Sequence, residues 1–236
     1  MFDARTRLYL ILFGMFSTCL VVGDIIGGKL IETEVFGHPF TLTVGMIPFP
    51  VTFLLTDVMN EFYGKQAARY ATLVTFGLAL LAYFFILVAG AIPAAAMTRA
   101  PDWTGVTEEA FQTVFLSSRR IIAASLTAYI VAQFVDIGVF HLLKRLTQNR
   151  LLWLRATGST AVSQLIDTVV INLVAWVGMM PLGVIVNMMV SSYALKLLIA
   201  VGLTPLVYLA HALVERGMGI KPVVLVATSV AVHDAK

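Results

Sequence analysis

The chain has 236 residues, of which 59% are hydrophobic and only 12% charged, against about 25% charged in an ordinary soluble domain. That balance excludes a soluble globular protein and a disordered chain, and the single cysteine, Cys19, excludes a disulfide-stapled secreted scaffold. The formal charge of +3 is not a nucleic-acid-binding signature, because the basic residues sit mainly in short connections between apolar runs, where orientation signals belong.

The apolar runs predict an all-α membrane protein in one domain. Its six transmembrane helices fall at roughly 8–26, 45–63, 69–92, 119–143, 158–181 and 183–211, with 212–236 as a cytoplasmic tail. The first run follows Arg5 and Arg7 like the start of a signal peptide, but no small-residue cleavage site follows it, so it is read as a membrane helix. Between the first two spans, Ile31-Glu32-Thr33-Glu34-Val35 and Phe40-Thr41-Leu42-Thr43-Val44 alternate in polarity around the turn signal Phe36-Gly37-His38-Pro39. This pattern predicts a short extracytoplasmic β-hairpin, with an unstructured loop as the alternative. Between spans three and four, a connection containing Trp103 carries an amphipathic stretch around Ala110-Phe111 and Val114-Phe115.

With the N-terminus inside, eleven of the sixteen lysines and arginines fall on the cytoplasmic side: Arg5, Arg7, Lys65, Arg69, Lys144, Arg145, Arg150, Arg155, Arg216, Lys221 and Lys236. Lys29, Arg99, Arg119 and Arg120 fall outside, and Lys196 lies within the last span. The excess predicts both termini in the cytoplasm. Arg119 and Arg120 read most simply as snorkelling anchors at a span end.

Polar residues inside the spans carry the functional signal, since a charged side chain at the bilayer centre costs about 2.5–3.5 kcal/mol on insertion scales. Asp57, Asn60 and Glu61 share one face of the second span, whose helix should start at Pro48 and Pro50. A helix interrupted at membrane depth is a pointer to a transport site. Gln133 with Asp136, and Gln164 with Asp167, place an amide and a carboxylate three residues apart on spans four and five. Counting helical rise puts Asp57, Glu61, Asp136 and Asp167 in one inner layer, with Asn172 and Lys196 further out and Asp24 near the outer end of span one. The simpler reading of any one of these residues is packing glue. Histidines are scattered, no metal-ligand spacing occurs, and no cofactor is expected. Gly23 with Gly27, and Ala124, Ala128 and Ala132, form small-residue ridges that suit packing within the bundle or, secondarily, a homodimer.

Several blocks together resemble the queuosine precursor transporters, also called the VUT family of integral membrane proteins. They are Phe49-Pro50-Val51-Thr52-Phe53-Leu54-Leu55-Thr56-Asp57-Val58-Met59-Asn60-Glu61-Phe62-Tyr63-Gly64-Lys65; Arg120-Ile121 with Ala124-Ser125-Leu126; Ala128-Tyr129 followed by Gln133 and Asp136; and Leu152-Trp153-Leu154-Arg155 running through Ser159-Thr160 to Gln164 and Asp167. The resemblance spans about residues 20 to 180 and weakens beyond Met180. It implies a six-helix carrier of the bacterial inner membrane that imports 7-cyano-7-deazaguanine, 7-aminomethyl-7-deazaguanine or a related deazapurine, and kinship with the substrate-binding subunits of energy-coupling-factor vitamin transporters. No direct contact with nucleic acid is implied.

The chemistry of the polar layer suits such a ligand. A carboxylate accepts adjacent N–H donors of a deazaguanine, and an amide or lysine satisfies its carbonyl. The candidate binding residues are therefore Asp57, Glu61, Gln133, Asp136, Gln164, Asp167, Asn172 and Lys196, with Phe53, Tyr129, Phe134 and Trp103 as stacking surfaces. A self-sufficient carrier, which is not an enzyme, is the leading expectation. The runner-up is a binding subunit of an ATP-driven importer, whose ATPase must be another chain because no G-x-x-x-x-G-K-[ST] occurs here. A remote third is an intramembrane aspartyl protease using Asp136 and Asp167.

Overall fold

The computed structural model describes residues 2–35, 38–116 and 119–224. The expected turn residues Phe36-Gly37, the side chains of His38 and Arg119, and the tail beyond Val224 lie outside the described residues.

Helix α1 (Ala4–Ile26) begins where the Asp3 carboxylate accepts a hydrogen bond from the Thr6 amide at 3.1 Å, and that bond holds the Asp3 carboxyl below its usual range. Leu30–Val35 (β1) and His38–Thr43 (β2) pair antiparallel, Leu30 opposite Thr43 and Val35 opposite His38. A tight 3₁₀ turn at Val44–Met46 then leads to α2 (Phe49–Phe62), with Pro50 in its first turn, where a missing N–H leaves nothing unpaired. Gly64, at φ +79°, turns the chain into α3 (Gly64–Ala91) through a conformation that a side chain would strain. The amphipathic stretch of the next connection is a single turn, α4 (Glu108–Phe111), capped by Thr107 and continued by a π-helical turn at Gln112–Leu116. Four helices follow: α5 (Arg119–Leu146), α6 (Leu152–Trp176), α7 (Leu182–Gly202) and α8 (Thr204–Ala212), the last closing in a π-helical turn at Leu213–Gly217.

The fold is that of a helical membrane protein. Among the described residues five segments are long and apolar enough to cross a bilayer: Ala4–Ile26, Gly64–Ala91, Glu108–Leu146, Leu152–Trp176 and Leu182–Gly217. The expected span at 45–63 is not one of them, because its helix has 14 residues, about 21 Å of rise against a hydrocarbon core of about 30 Å. Two other expected boundaries move. The helix expected at 158–181 is α6, which starts six residues earlier at Leu152 and ends at Trp176. The run expected at 183–211 is broken at Leu203, because Pro205 in the first turn of α8 has no amide to continue the ladder of α7.

Both described ends of the chain meet at the junction of α2 and α3. The Arg5 guanidinium donates to the Phe62 carbonyl at 2.6 Å, and the Val223 amide donates to the Glu61 carbonyl at 2.9 Å. The C-terminal end of α5, the start of α6 and the end of α8 reach the same place through Lys144, Arg155 and His211. The helices therefore run alternately away from and towards one end of the molecule.

Burial is inverted relative to a soluble protein. Leu10, Ile11, Phe84, Phe85 and Leu198 are exposed, while Asp57, Asn60, Glu61, Lys144 and Arg155 are buried. An apolar core of Phe16, Leu55, Val58, Met59, Phe62, Ala71 and Tyr129 joins α1, α2, α3 and α5. The small residues work inside the chain. Ala124, Ala128 and Ala132 are buried along α5, whose packing against α6 is the most extensive between any two helices. A Cβ on Gly45 would sit 2.7 Å from the Gly23 carbonyl oxygen and 3.0 Å from the Gly27 Cα, so the glycine ridge of α1 receives the backbone of the turn before α2.

Candidate functional site

Phe49, Phe53, Asp57 and Glu61 follow one another at intervals of four residues and so line one face of α2 over about 18 Å. Each meets a different chemical environment. At the first turn, the Lys196 Nζ of α7 lies 4.9 Å from the centre of the Phe49 ring, and the same nitrogen donates to Asp167 Oδ2 of α6 at 2.6 Å. This pair is buried, so the cation on the ring face and the carboxylate together replace the water that both charges have lost. Phe53 packs edge-on against Phe49 with ring centres 5.7 Å apart.

Phe53 and Asp57 line a narrow cavity of about 10 Å³, closed in this conformation by Leu54, Ala156, Thr157, Thr160, Ala200, Leu203 and Val207. Its opposite walls come from α6, α7 and α8, and the break at Leu203 opens directly onto it.

Glu61 is the hub of a buried ionic cluster. Its Oε1 accepts from Arg155 Nη2 at 2.7 Å and its Oε2 from Lys144 Nζ at 3.0 Å, with His211 Nε2 3.8 Å from Oε1. Four helices are tied by one carboxylate.

The other expected site residues divide. Asp136 accepts from Ser163 Oγ at 3.1 Å, across the α5–α6 interface. The Oε1 atoms of Gln133 and Gln164 are buried with no hydrogen-bond partner, whereas Asn172 donates to the Thr168 carbonyl of its own helix at 2.8 Å. Asp24 accepts from Ser125 at 2.7 Å. Of the expected stacking surfaces only Phe53 lines the pocket. The Tyr129 hydroxyl points to the Thr72 carbonyl at 3.4 Å and its ring packs with Phe16. The Phe134 ring carries the Arg69 guanidinium at 5.9 Å, and Trp103 donates to Val106 within its own loop. The single inner layer expected for Asp57, Glu61, Asp136 and Asp167 is corrected: Asp167 bonds Lys196, whose ammonium lies on Phe49 at the opposite end of the α2 row from Glu61. No group of three or more potential metal ligands converges among the described residues.

Lys144, Arg155, His211, Ser163 and Phe49 were not expected at the site. A signal for the first two exists in the spacing, since Asp136, Phe140 and Lys144 share one face of α5 while Arg155, Ser159 and Ser163 share one face of α6. Arg120 also does more than anchor an interface: it donates to the Val174 and Val177 carbonyls at 2.7 and 2.6 Å and so caps the end of α6.

Residues 43–210 match the family model described as "Putative vitamin uptake transporter". A Bacillus subtilis protein named "Probable queuosine precursor transporter" is 34% identical over 182 residues, 77% of this chain and 76% of that protein. The chain belongs to this transporter family. The Escherichia coli "Queuosine precursor transporter" is 31% identical over 147 residues, 62% of this chain and 61% of that protein, and a Haemophilus influenzae relative is 29% identical over 137 residues. No solved structure matches the chain. Family membership, with five apolar membrane-length segments, makes it a multi-pass transporter of the bacterial inner membrane and not an enzyme, which removes the protease reading. The family match covers the whole α2 row, Lys144, Arg155, Asp167 and Lys196, and ends one residue before His211.

Proposed function

We propose that this member of the family imports 7-deazaguanine precursors of queuosine as a self-sufficient carrier, with both termini cytoplasmic and the β1–β2 hairpin outside. In this reading the chain crosses six times, α2 and the turn before it forming a short, interrupted crossing. The names of the family relatives support the substrate class. The observation that carries the reading is the α2 row, in which an aromatic ring and a carboxyl group stand one turn apart on the wall of a small cavity that would have to widen around a ligand. That combination suits a flat heterocycle edged with N–H donors.

The ionic groups at the two ends of the row support a transport cycle. The Asp167–Lys196 pair stands at the Phe49 end of the row and the Glu61 cluster at its other end, with the Phe53–Asp57 cavity between them along α2, and in this reading one or both rearrange as a ligand passes.

Deleting the gene in a host unable to make the precursors, then measuring queuosine in tRNA with each precursor supplied, tests both function and substrate. Loss of queuosine that returns with the plasmid-borne gene is expected. Undiminished queuosine in the deletion strain refutes the proposal. Uptake by the purified protein alone in liposomes is expected, and a requirement for an added ATPase chain would replace the carrier with the binding-subunit reading.

A further inference from the structure

Five carboxyl groups lie within α1, α2, α5 and α6 and form a polar column through the bundle, and four of them have a hydrogen-bond or ion-pair partner within the chain. Glu61 has Lys144 and Arg155, Asp167 has Lys196, Asp136 has Ser163 and Asp24 has Ser125. Asp57 is the exception. Its side chain is 95% buried, it makes no hydrogen bond or ion pair among the described residues, and it faces the Phe53 pocket.

An unpaired buried carboxylate is expensive, and the pocket around it is otherwise apolar apart from Thr157 and Thr160. The Thr157 hydroxyl is already shared with Thr204 at 3.1 Å, which leaves Thr160 as the hydroxyl free to meet a ligand. The acceptor oxygens of Asp57 select the ligand's chemistry, since an apolar molecule leaves them bare. A planar molecule with two adjacent N–H donors satisfies both oxygens at once while its face lies against Phe53.

We propose that Asp57 is the residue that reads the amino-bearing edge of the base, accepting hydrogen bonds from its ring N–H and exocyclic amine, so that the transporter separates 2-amino deazapurines from their 2-deamino counterparts. This rests on the deazapurine reading above and deepens it: among the acids of the polar column, the specificity belongs to Asp57 and not to Asp136 or Asp167. A base without the exocyclic amine leaves one carboxylate oxygen unpaired, which the site disfavours.

The test is equilibrium binding to the purified full-length protein in lipid nanodiscs, with 7-cyano-7-deazaguanine and its 2-deamino analogue as probes. The parent is expected to prefer the 2-amino probe by about tenfold or more. Asp57→Asn should weaken that probe by about 10- to 100-fold and bring the two probes within threefold of each other, because the amide presents a donor where an acceptor is needed. Asp57→Glu keeps the carboxyl group but moves it by one methylene, and it should also lose the preference; it serves where the asparagine variant fails to accumulate. A parent that binds both probes alike, or either variant retaining the parent's preference, overturns the assignment while leaving the transport reading intact. A parent that binds neither probe overturns the deazapurine reading itself.

Discussion

Lys196 donates to Asp167 at 2.6 Å while its ammonium group rests 4.9 Å from the centre of the Phe49 ring. One cation thereby joins the middle of α6 and α7 to the first turn of α2, at the point where that helix begins inside the protein.

Removing one member of this pair should be worse than removing both. Lys196→Met leaves the Asp167 carboxylate buried and alone, at a cost of about 3–5 kcal/mol, so the variant should accumulate poorly in membranes and unfold at a lower temperature in detergent. Adding Asp167→Asn should restore accumulation without restoring uptake. Full uptake by the double variant would show that the pair only packs.

The Glu61 cluster predicts an asymmetry among its members. Glu61→Gln leaves Lys144 and Arg155 buried as like charges and should lower stability by about 3–5 kcal/mol. Lys144→Met leaves Glu61 with Arg155 and should cost clearly less. Thermal unfolding of the two purified variants compares them directly; equal losses would mean that the carboxylate is not the hub.

Orientation is testable by cysteine labelling in a Cys19-free background. A membrane-impermeant reagent should reach Glu34→Cys in β1 from outside, and Gln148→Cys in the α5–α6 turn only from inside. The opposite pattern reverses the orientation.

Arg120→Ala removes both donors from the carbonyls of Val174 and Val177, and about 1–2 kcal/mol of local stability at the end of α6 should go with them. Faster amide exchange confined to the last turn of α6 and the turn after it is the expected readout. Arg120→Lys should be intermediate, since an ammonium group lacks the fork that spans two carbonyls.

Hydropathy was enough to find the five long helices, and Pro48 and Pro50 were enough to start α2, because both follow from local chemistry. The start of α6 was misplaced because Arg155 reads as a loop charge, whereas its guanidinium is buried on Glu61, 94 residues earlier in the chain. The break at Leu203 lay hidden inside an apolar run, although Thr204-Pro205 announced it. The acids of the polar column were legible as residues that a bilayer disfavours. Their partners were not, since pairing depends on how neighbouring helices are staggered and rotated. Lys144 and Arg155 were counted among the eleven inner charges, yet both are buried; the nine left still exceed the four outer ones.

The sequence separation within the Glu61 cluster has a consequence for biogenesis. Glu61 leaves the ribosome 83 residues ahead of Lys144 and 94 ahead of Arg155, and the Val223 amide that occupies its carbonyl comes later still. While α3 is being inserted, α2 carries two uncompensated acids and is too short to hold itself across the lipid. Its final seating therefore waits for α5 and α6, making the helix that carries the candidate site among the last to settle although it is the second to be made.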